Sequence, residues 1–264
     1  SMTEIDEVNA IINASGNSFH CRATNCLREK GWHTLVSPYY MDSSSNKPRE
    51  IDLIAEKSWL YDNRHSRKYG TINIKLFIEC KYIPQTNVFW FSDKDIVSTK
   101  KWLTYNTPLP ERNKFTERHH YLATNPKVAK LFASKNMPNV ENEVIYKALN
   151  QSLNAMVYLR HQETIIPEEP HRNNDILATV ELPVILCNSF QKFHRVEMES
   201  PSNPEAIPEN FQLEVNYAYL DKNKNNQNEF FMIDVVDFNK IDEFLDLMES
   251  DKDAIFQDRT STRL

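Results

Sequence analysis

Three glycines in 264 residues, Gly16, Gly31 and Gly70, leave this chain without the material for a glycine-rich phosphate loop of the P-loop or dinucleotide kind. Its turns must be built from Asn, Asp, Ser and its 13 prolines. An excess of positive charge is also missing. The formal net charge is -6, so no overall field draws the protein to nucleic acid or to an anionic membrane, and any such contact must be local. The four cysteines, Cys21, Cys26, Cys80 and Cys187, include no CxxC pair. Cys21 and Cys26 lie on one predicted helix apart from any second pair, which speaks against a zinc site there. Without a secretory signal, the thiols are expected to be reduced in a cytoplasm. No apolar run is long enough to span a bilayer, so no membrane partner is expected. Ser1-Met2 reads as an addition ahead of a native start.

What the chain does contain is ordinary globular composition, with 40% hydrophobic and 26% charged residues, and one informative stretch, Thr71 to Tyr82, TINIKLFIECKY. Side chains alternate along a strand, so Ile72, Ile74, Leu76, Ile78, Cys80 and Tyr82 share one face while Phe77, Glu79 and Lys81 share the other. Upstream, Arg49 to Glu56, REIDLIAE, reads as a second strand with Ile51, Leu53 and Ala55 inward and Glu50 and Asp52 on the opposite face. Two apolar strands thus each offer acid toward a common surface, and one adds a lysine two residues after its glutamate. Such a grouping suits a divalent cation beside a proton-handling group.

The remaining pattern is α/β. Thr3 to Ala14 predicts a helix with Ile5, Val8, Ile11 and Ile12 at helical spacing, and Ser18 to Lys30 a second with Phe19, Ala23, Cys26 and Leu27, stopped by Gly31. Trp32 to Tyr40 reads as a strand, and Tyr61 to Tyr69 as a polar hairpin loop. His119 to Thr124 reads as a strand. Glu141 to His161 is the clearest helix, lined by Ile145, Leu149, Leu153, Met156 and Val157. Ile176 to Cys187 reads as a strand whose Pro183 suits an edge or a bulge. Two more strands, Phe211 to Leu220 and Glu229 to Phe238, precede a short helix over Ile241 to Met248.

The order helix, strand, acid-bearing strand, ExK strand, helix, strand resembles the PD-(D/E)xK nuclease superfamily, the restriction-endonuclease-like fold. Asp52 in Glu50-Ile51-Asp52-Leu53-Ile54-Ala55 and Glu79-Cys80-Lys81 in Phe77-Ile78-Glu79-Cys80-Lys81-Tyr82 carry the resemblance. The leading helix ending in Gly31-Trp32 and the helix bearing Gln151 support it. It implies one domain over 1–264: a mixed central sheet flanked by helices (core about 17–190), an insertion at about 83–140 after the ExK strand, and a strand-strand-helix extension at about 208–250.

The implied activity is metal-dependent hydrolysis of phosphodiester bonds, in DNA by expectation, in a bacterial defence, repair or mobile-element setting. Asp52 and Glu79 would hold Mg²⁺ or Mn²⁺ with the Cys80 main-chain carbonyl, and Lys81 would orient or deprotonate the attacking water. The Cys80 thiol itself points to the apolar face and reads as a buried free thiol. His20 stands where many members carry a glutamate on the leading helix; it reads either as a group organising the site or as a hydrogen-bonded structural histidine. Glu50 reads as a support for the site or as a solvated strand charge, and Gln151 as a site contact or a helix-surface amide. Candidate substrate contacts are Arg64, Arg67 and Lys68 in one loop and Lys100, Lys101 and Arg118 in the insertion, with Trp90 to stack on a base. A homodimer suits cutting both strands of a duplex. The alternative is a catalytically silent nuclease-fold protein that binds nucleic acid or a protein partner.

Overall fold

A computed structural model describes residues 3–63, 68–106, 116–135, 143–160, 162, 165–166, 176–200 and 203–261. The chain opens with α1 (Glu4–Ala14) and α2 (Asn17–Glu29). Thr3 caps α1 in a capping box with Asp6. The apolar stripe of α1 does not join the core: Ile5, Val8, Ile11 and Ile12 are exposed. In α2, by contrast, Phe19, Ala23 and Leu27 are buried as the spacing predicts. Gly31, at φ +80°, turns the chain out of α2.

The strands that follow are divided differently from the sequence reading, and β4 and β5 extend to Asn63 and Lys68, into the stretch expected as a hairpin loop. Trp32 to Tyr40 divides into β1 (His33–Val36) and β2 (Tyr39–Asp42), and Arg49 to Glu56 divides between β3 (Lys47–Glu50) and β4 (Leu53–Asn63). β2 and β3 form a separate two-stranded hairpin. The break falls at Ile51-Asp52, because the Ile51 N–H turns to the Pro38 carbonyl and the Asp52 carbonyl accepts from Ser37. Glu50 therefore belongs to the small hairpin, opposite Tyr39 and exposed, and does not share a strand face with Asp52.

β4 pairs antiparallel with β5 (Lys68–Lys81), Leu53 facing Ile78. Along the chain come β6 (Asn87–Asp93), α3 (Ile96–Asn106), α4 (His120–Ala123), β7 (Lys127–Ser134), α5 (Val144–Leu159), β8 (Ile176–Cys187), β9 (Phe193–Glu197), β10 (Glu205–Ala206), β11 (Phe211–Leu220), β12 (Asn226–Asp237) and α6 (Ile241–Ser261). His119 to Thr124 is thus a helical turn instead of a strand. The His119 side chain accepts the Tyr121 N–H as its N-cap, a local bond that extended backbone would not form.

Among the described residues, ten strands form one mixed sheet in the order β1-β4-β5-β8-β12-β11-β7-β6-β9-β10. The stretch expected as an insertion supplies β6 and β7 to this sheet, and the C-terminal strands sit in its middle. β8 is central, parallel to both β5 and β12, so Pro183 is not at an edge. β12 pairs only with Val184 to Cys187, and Pro183 lies just before that ladder, where a residue without an N–H breaks nothing on that side.

Helix α5 packs over β5 and β8, and Ser152 Oγ donates to the Phe77 carbonyl at 3.0 Å. α2 and α6 also contact β5. Alternation sorts the faces: Lys81 meets α5 through Gln151, while Cys80, one residue back, turns toward α2. The fold is α/β, a large mixed sheet flanked by helices. No helix among the described residues is long and apolar enough to cross a membrane.

Candidate metal and catalytic centre

The β4–β5 ladder ends at Leu53 and Ile78, and the two chain segments just beyond it carry the acids. Asp52, freed from the strand by the turn at Ile51, swings its carboxylate across the end of the ladder and accepts the Cys80 N–H at 2.8 Å. A side chain thereby replaces the next backbone partner, and Asp52 is fixed with 9% exposure. Because the N–H and C=O of one strand residue point to the same edge, the Cys80 carbonyl faces the Asp52 side too.

Glu79 is fully buried and Lys81 reaches over it, Nζ 2.6 Å from Glu79 Oε2, 3.2 Å from Gln151 Oε1 and 3.9 Å from Asp52 Oδ2. His20 Nε2 approaches Asp52 Oδ2 to 3.5 Å from the other side. Asp52, Glu79, Lys81, His20 and Gln151 are thus one cluster. The second Glu79 oxygen, Oε1, is buried with no hydrogen-bond partner. Burial raises the Glu79 acid to about 8; Lys81 opposes this and the neighbouring Asp52 carboxylate reinforces it. Burial works against the Lys81 ammonium, but Glu79 and Asp52 outweigh it and hold its pKa above the ordinary lysine value. Lys81 therefore sits in the site as a cation.

Beside Gln151 lies an open cavity of about 330 Å³ between α5 and the β2–β3 hairpin, lined by Tyr40, Asp42, Arg49, Tyr146, Lys147, Asn150 and Asn154. Its basic residues, Arg49 and Lys147, were not among those singled out as substrate contacts. The pattern that hides them is simple: Lys147 is the one cation of its helix, and Arg49 shares a four-residue strand with Lys47 alone. Tyr40 is buried against the site, and burial together with Glu79 keeps its phenol protonated.

The expected substrate contacts are not gathered here. Trp90 lies on β6, five strands from β5 in the sheet order, roughly 24 Å at about 4.8 Å per strand. Lys100 and Lys101 are on α3, which packs on β12, and Lys100 pairs with Glu117 at 3.2 Å. Arg118 follows on a 3-10 turn near α4 and α6 and has a partner of its own. Lys68 opens β5, at the end of the strand opposite to Glu79. Arg64 and Arg67 lie outside the described residues.

A second buried polar cluster escaped the sequence reading. His120 on α4 is clasped between Asp251 of α6 at Nδ1 and Asp234 of β12 at Nε2, the latter at 3.0 Å. Tyr121 donates its hydroxyl to Asp234 at 2.9 Å. Lys94 donates to the Tyr121 and Thr124 carbonyls. Burial would discharge His120, but the two carboxylates raise it to about 10, while burial lowers the neighbouring His119 to about 4. Two carboxylates thus face two cations, His120 and Lys94, while the buried His119 Nε2, 3.3 Å from Asp251, makes no hydrogen bond. An aspartate inside the apolar run FFMIDVV was its one signal in the sequence.

No protein-family model, no curated protein and no solved structure matches this chain.

Proposed function

We propose that this chain is a divalent-metal-dependent nuclease of the restriction-endonuclease-like fold, hydrolysing phosphodiester bonds in DNA. The observation that carries the reading is the convergence of Asp52 and Glu79 with a buried carboxylate oxygen of Glu79 left without a partner. An orphaned buried oxygen is costly, and a hard cation between two carboxylates relieves it. The donor set is oxygen only, Asp52, Glu79 and the Cys80 carbonyl, which suits Mg²⁺ or Mn²⁺. Such an ion supplies charge neutralisation at the phosphate and a lowered pKa for bound water.

The remaining work falls to the chain's own side chains. Lys81, held as an ammonium, orients the attacking water and offsets negative charge on the phosphate oxygens; its raised pKa assigns it to charge stabilisation ahead of proton abstraction. Gln151 Oε1 keeps the flexible lysine stem over the site. His20 props the Asp52 carboxylate from α2, and Arg49 and Lys147 offer phosphate contacts at the cavity mouth. The second reading is a nuclease-fold protein without activity that binds nucleic acid or a protein; the net charge of -6 and His20 in place of a helix carboxylate favour it.

Purified protein with Mg²⁺ or Mn²⁺ should cut DNA, and Asp52→Ala should not. Cleavage of RNA alone moves the substrate assignment. Absence of cutting on single- and double-stranded DNA and RNA leaves the silent reading in its place. A homodimer, seen by light scattering, would accompany cutting of both strands.

The Glu79 acid adds a pH signature. Its folded pKa is raised from 4.5 to about 8, so the metal-free fold is favoured at low pH, and that contribution is lost as pH rises from about 4.5 through 8. An ion bound by Glu79 must displace this proton. Mg²⁺ affinity should therefore rise from pH 6 to 8, with proton release on binding near pH 7. Calorimetry in buffers of different ionisation enthalpy measures that release, and its absence would remove Glu79 from the ligand set.

A further inference from the structure

Asp52 faces a second group of donors on the side of β5 turned away from Glu79 and Lys81. A ring nitrogen of His20, an Asp52 carboxylate oxygen and Cys80 Sγ all lie within 4.8 Å of one another. The His20 to Asp52 separation is 3.5 Å. For a tetrahedral ion with bonds of about 2.0 Å to nitrogen and oxygen and about 2.3 Å to sulfur, neighbouring ligand atoms stand roughly 3.3–3.6 Å apart. The nitrogen–oxygen pair is already at that spacing, and the Cys80 sulfur lies within 4.8 Å of both.

We propose that His20, Asp52 and Cys80 form a site for a thiophilic divalent cation, of which zinc is the type, distinct from the oxygen-only set that Asp52 shares with Glu79. Sulfur and imidazole donors select Zn²⁺ over Mg²⁺. The three ligands come from three differently fixed places: α2, the turn before β4, and β5. Cys80 is 4% exposed and Asp52 9%, whereas a quarter of the His20 side chain is accessible. The ion enters past His20, and the fourth coordination position faces water there. Binding exchanges the Cys80 thiol proton for the metal: the S–H bond breaks, the sulfur lone pair forms the bond to zinc, and the proton leaves to solvent with no change of oxidation state.

The buried His119, His120 and Asp251 group has donor atoms equally close but is unsuited to this. Its His119 Nδ1 accepts the Tyr121 N–H at 3.2 Å, which fixes the proton on Nε2, the nitrogen facing Asp251. His20 carries no such constraint among the described hydrogen bonds.

The regulatory consequence rests on the proposed nuclease reading. Asp52 cannot serve both sets at full strength, so zinc on the α2 side withdraws it from the oxygen-only set and restrains cleavage.

Cobalt(II) is the probe. Titrated into the full-length protein, it should give a thiolate-to-cobalt charge-transfer band and tetrahedral ligand-field bands at one ion per chain, both erased by equimolar zinc. Cys80→Ser should abolish the charge-transfer band, and His20→Ala should weaken binding by at least about tenfold, the lower end of what even outer-sphere partners contribute. Cys21→Ser/Cys26→Ser, which removes the exposed and half-buried thiols of α2, should leave the band intact. Circular dichroism shows that each variant is folded, and His20, being partly exposed, provides the test if Cys80→Ser is not. A charge-transfer band that never appears, survives Cys80→Ser, or disappears with Cys21→Ser/Cys26→Ser overturns the site. Mg²⁺-dependent cleavage that ignores saturating zinc overturns the sharing of Asp52, while a cobalt spectrum from a protein that cuts nothing upholds the site and overturns the nuclease reading instead.

Discussion

Lys81→Met is expected to lower metal-dependent cleavage by roughly 10²–10³-fold, the usual loss when a preorganised charge is removed from a developing anion, while leaving metal binding in place. The ammonium touches both carboxylates, at 2.6 Å to Glu79 and 3.9 Å to Asp52, yet contributes no donor atom to a cation. Turnover and metal affinity should therefore separate in this variant. Asp52→Asn should do the reverse of separating them, because the carboxylate proposed to hold the ion also anchors the Cys80 N–H. Measuring single-turnover cleavage beside calorimetric metal binding decides the matter. If Lys81→Met cuts within about threefold of wild type, a difference of under 1 kcal/mol in barrier, or loses metal binding as completely as Asp52→Asn, Lys81 does not have the role assigned to it.

The largest effect on stability should come from Asp251→Ala, at about 3–5 kcal/mol. Asp251 is fully buried and binds His120 twice, through the backbone N–H at 2.8 Å and through Nδ1. Its removal leaves a buried imidazolium with Asp234 alone. The pH dependence identifies the cause. His120 is raised from 6.5 to about 10 in the folded protein, so its contribution is fully present below about 6.5 and fades as pH rises through 10. Wild type should thus lose more stability between pH 6.5 and 9.5 than Asp251→Ala does, as read from denaturant midpoints. Equal slopes in the two proteins would mean that His120 is not the charged partner.

Much of the centre was legible because strand alternation is a local rule. TINIKLFIECKY places Glu79 and Lys81 on one face and Cys80 on the other without reference to any other part of the chain, and the 3.6-residue stripe of α5 brings Gln151 over that face. The break at Ile51-Asp52 was not legible. Eight residues of suitable alternation look like one strand, and only the pull of Pro38 and Ser37 on their backbone, a contact across more than ten residues, divides them. The error at His119 to Thr124 has a related cause: aromatic and β-branched residues favour strands on average, but a single capping bond and the clasp of Asp234 and Asp251 on His120 decide the backbone. The stripe of α1 shows the converse: its helical period is legible in the sequence, but the exposure of Ile5, Val8, Ile11 and Ile12 is not. Arg49 and Lys147 were passed over because sequence rewards clustered charge, while the cavity beside Gln151 collects single cations from separate elements.

The place of β12 in the sheet has a consequence for the order of synthesis. β5 and β8 can pair once residue 187 has been made, but the other edge of β8 has no neighbour until residues 226–237 arrive. Until then a nascent chain carries the acidic pair on a half-sheet with a long, apolar, unpaired edge, the kind of surface on which chains associate wrongly. Closure of that edge by β12, followed by α6 with Asp251, completes the sheet around the acidic pair: a centre built on β4 and β5 is framed by residues translated about 150 positions later.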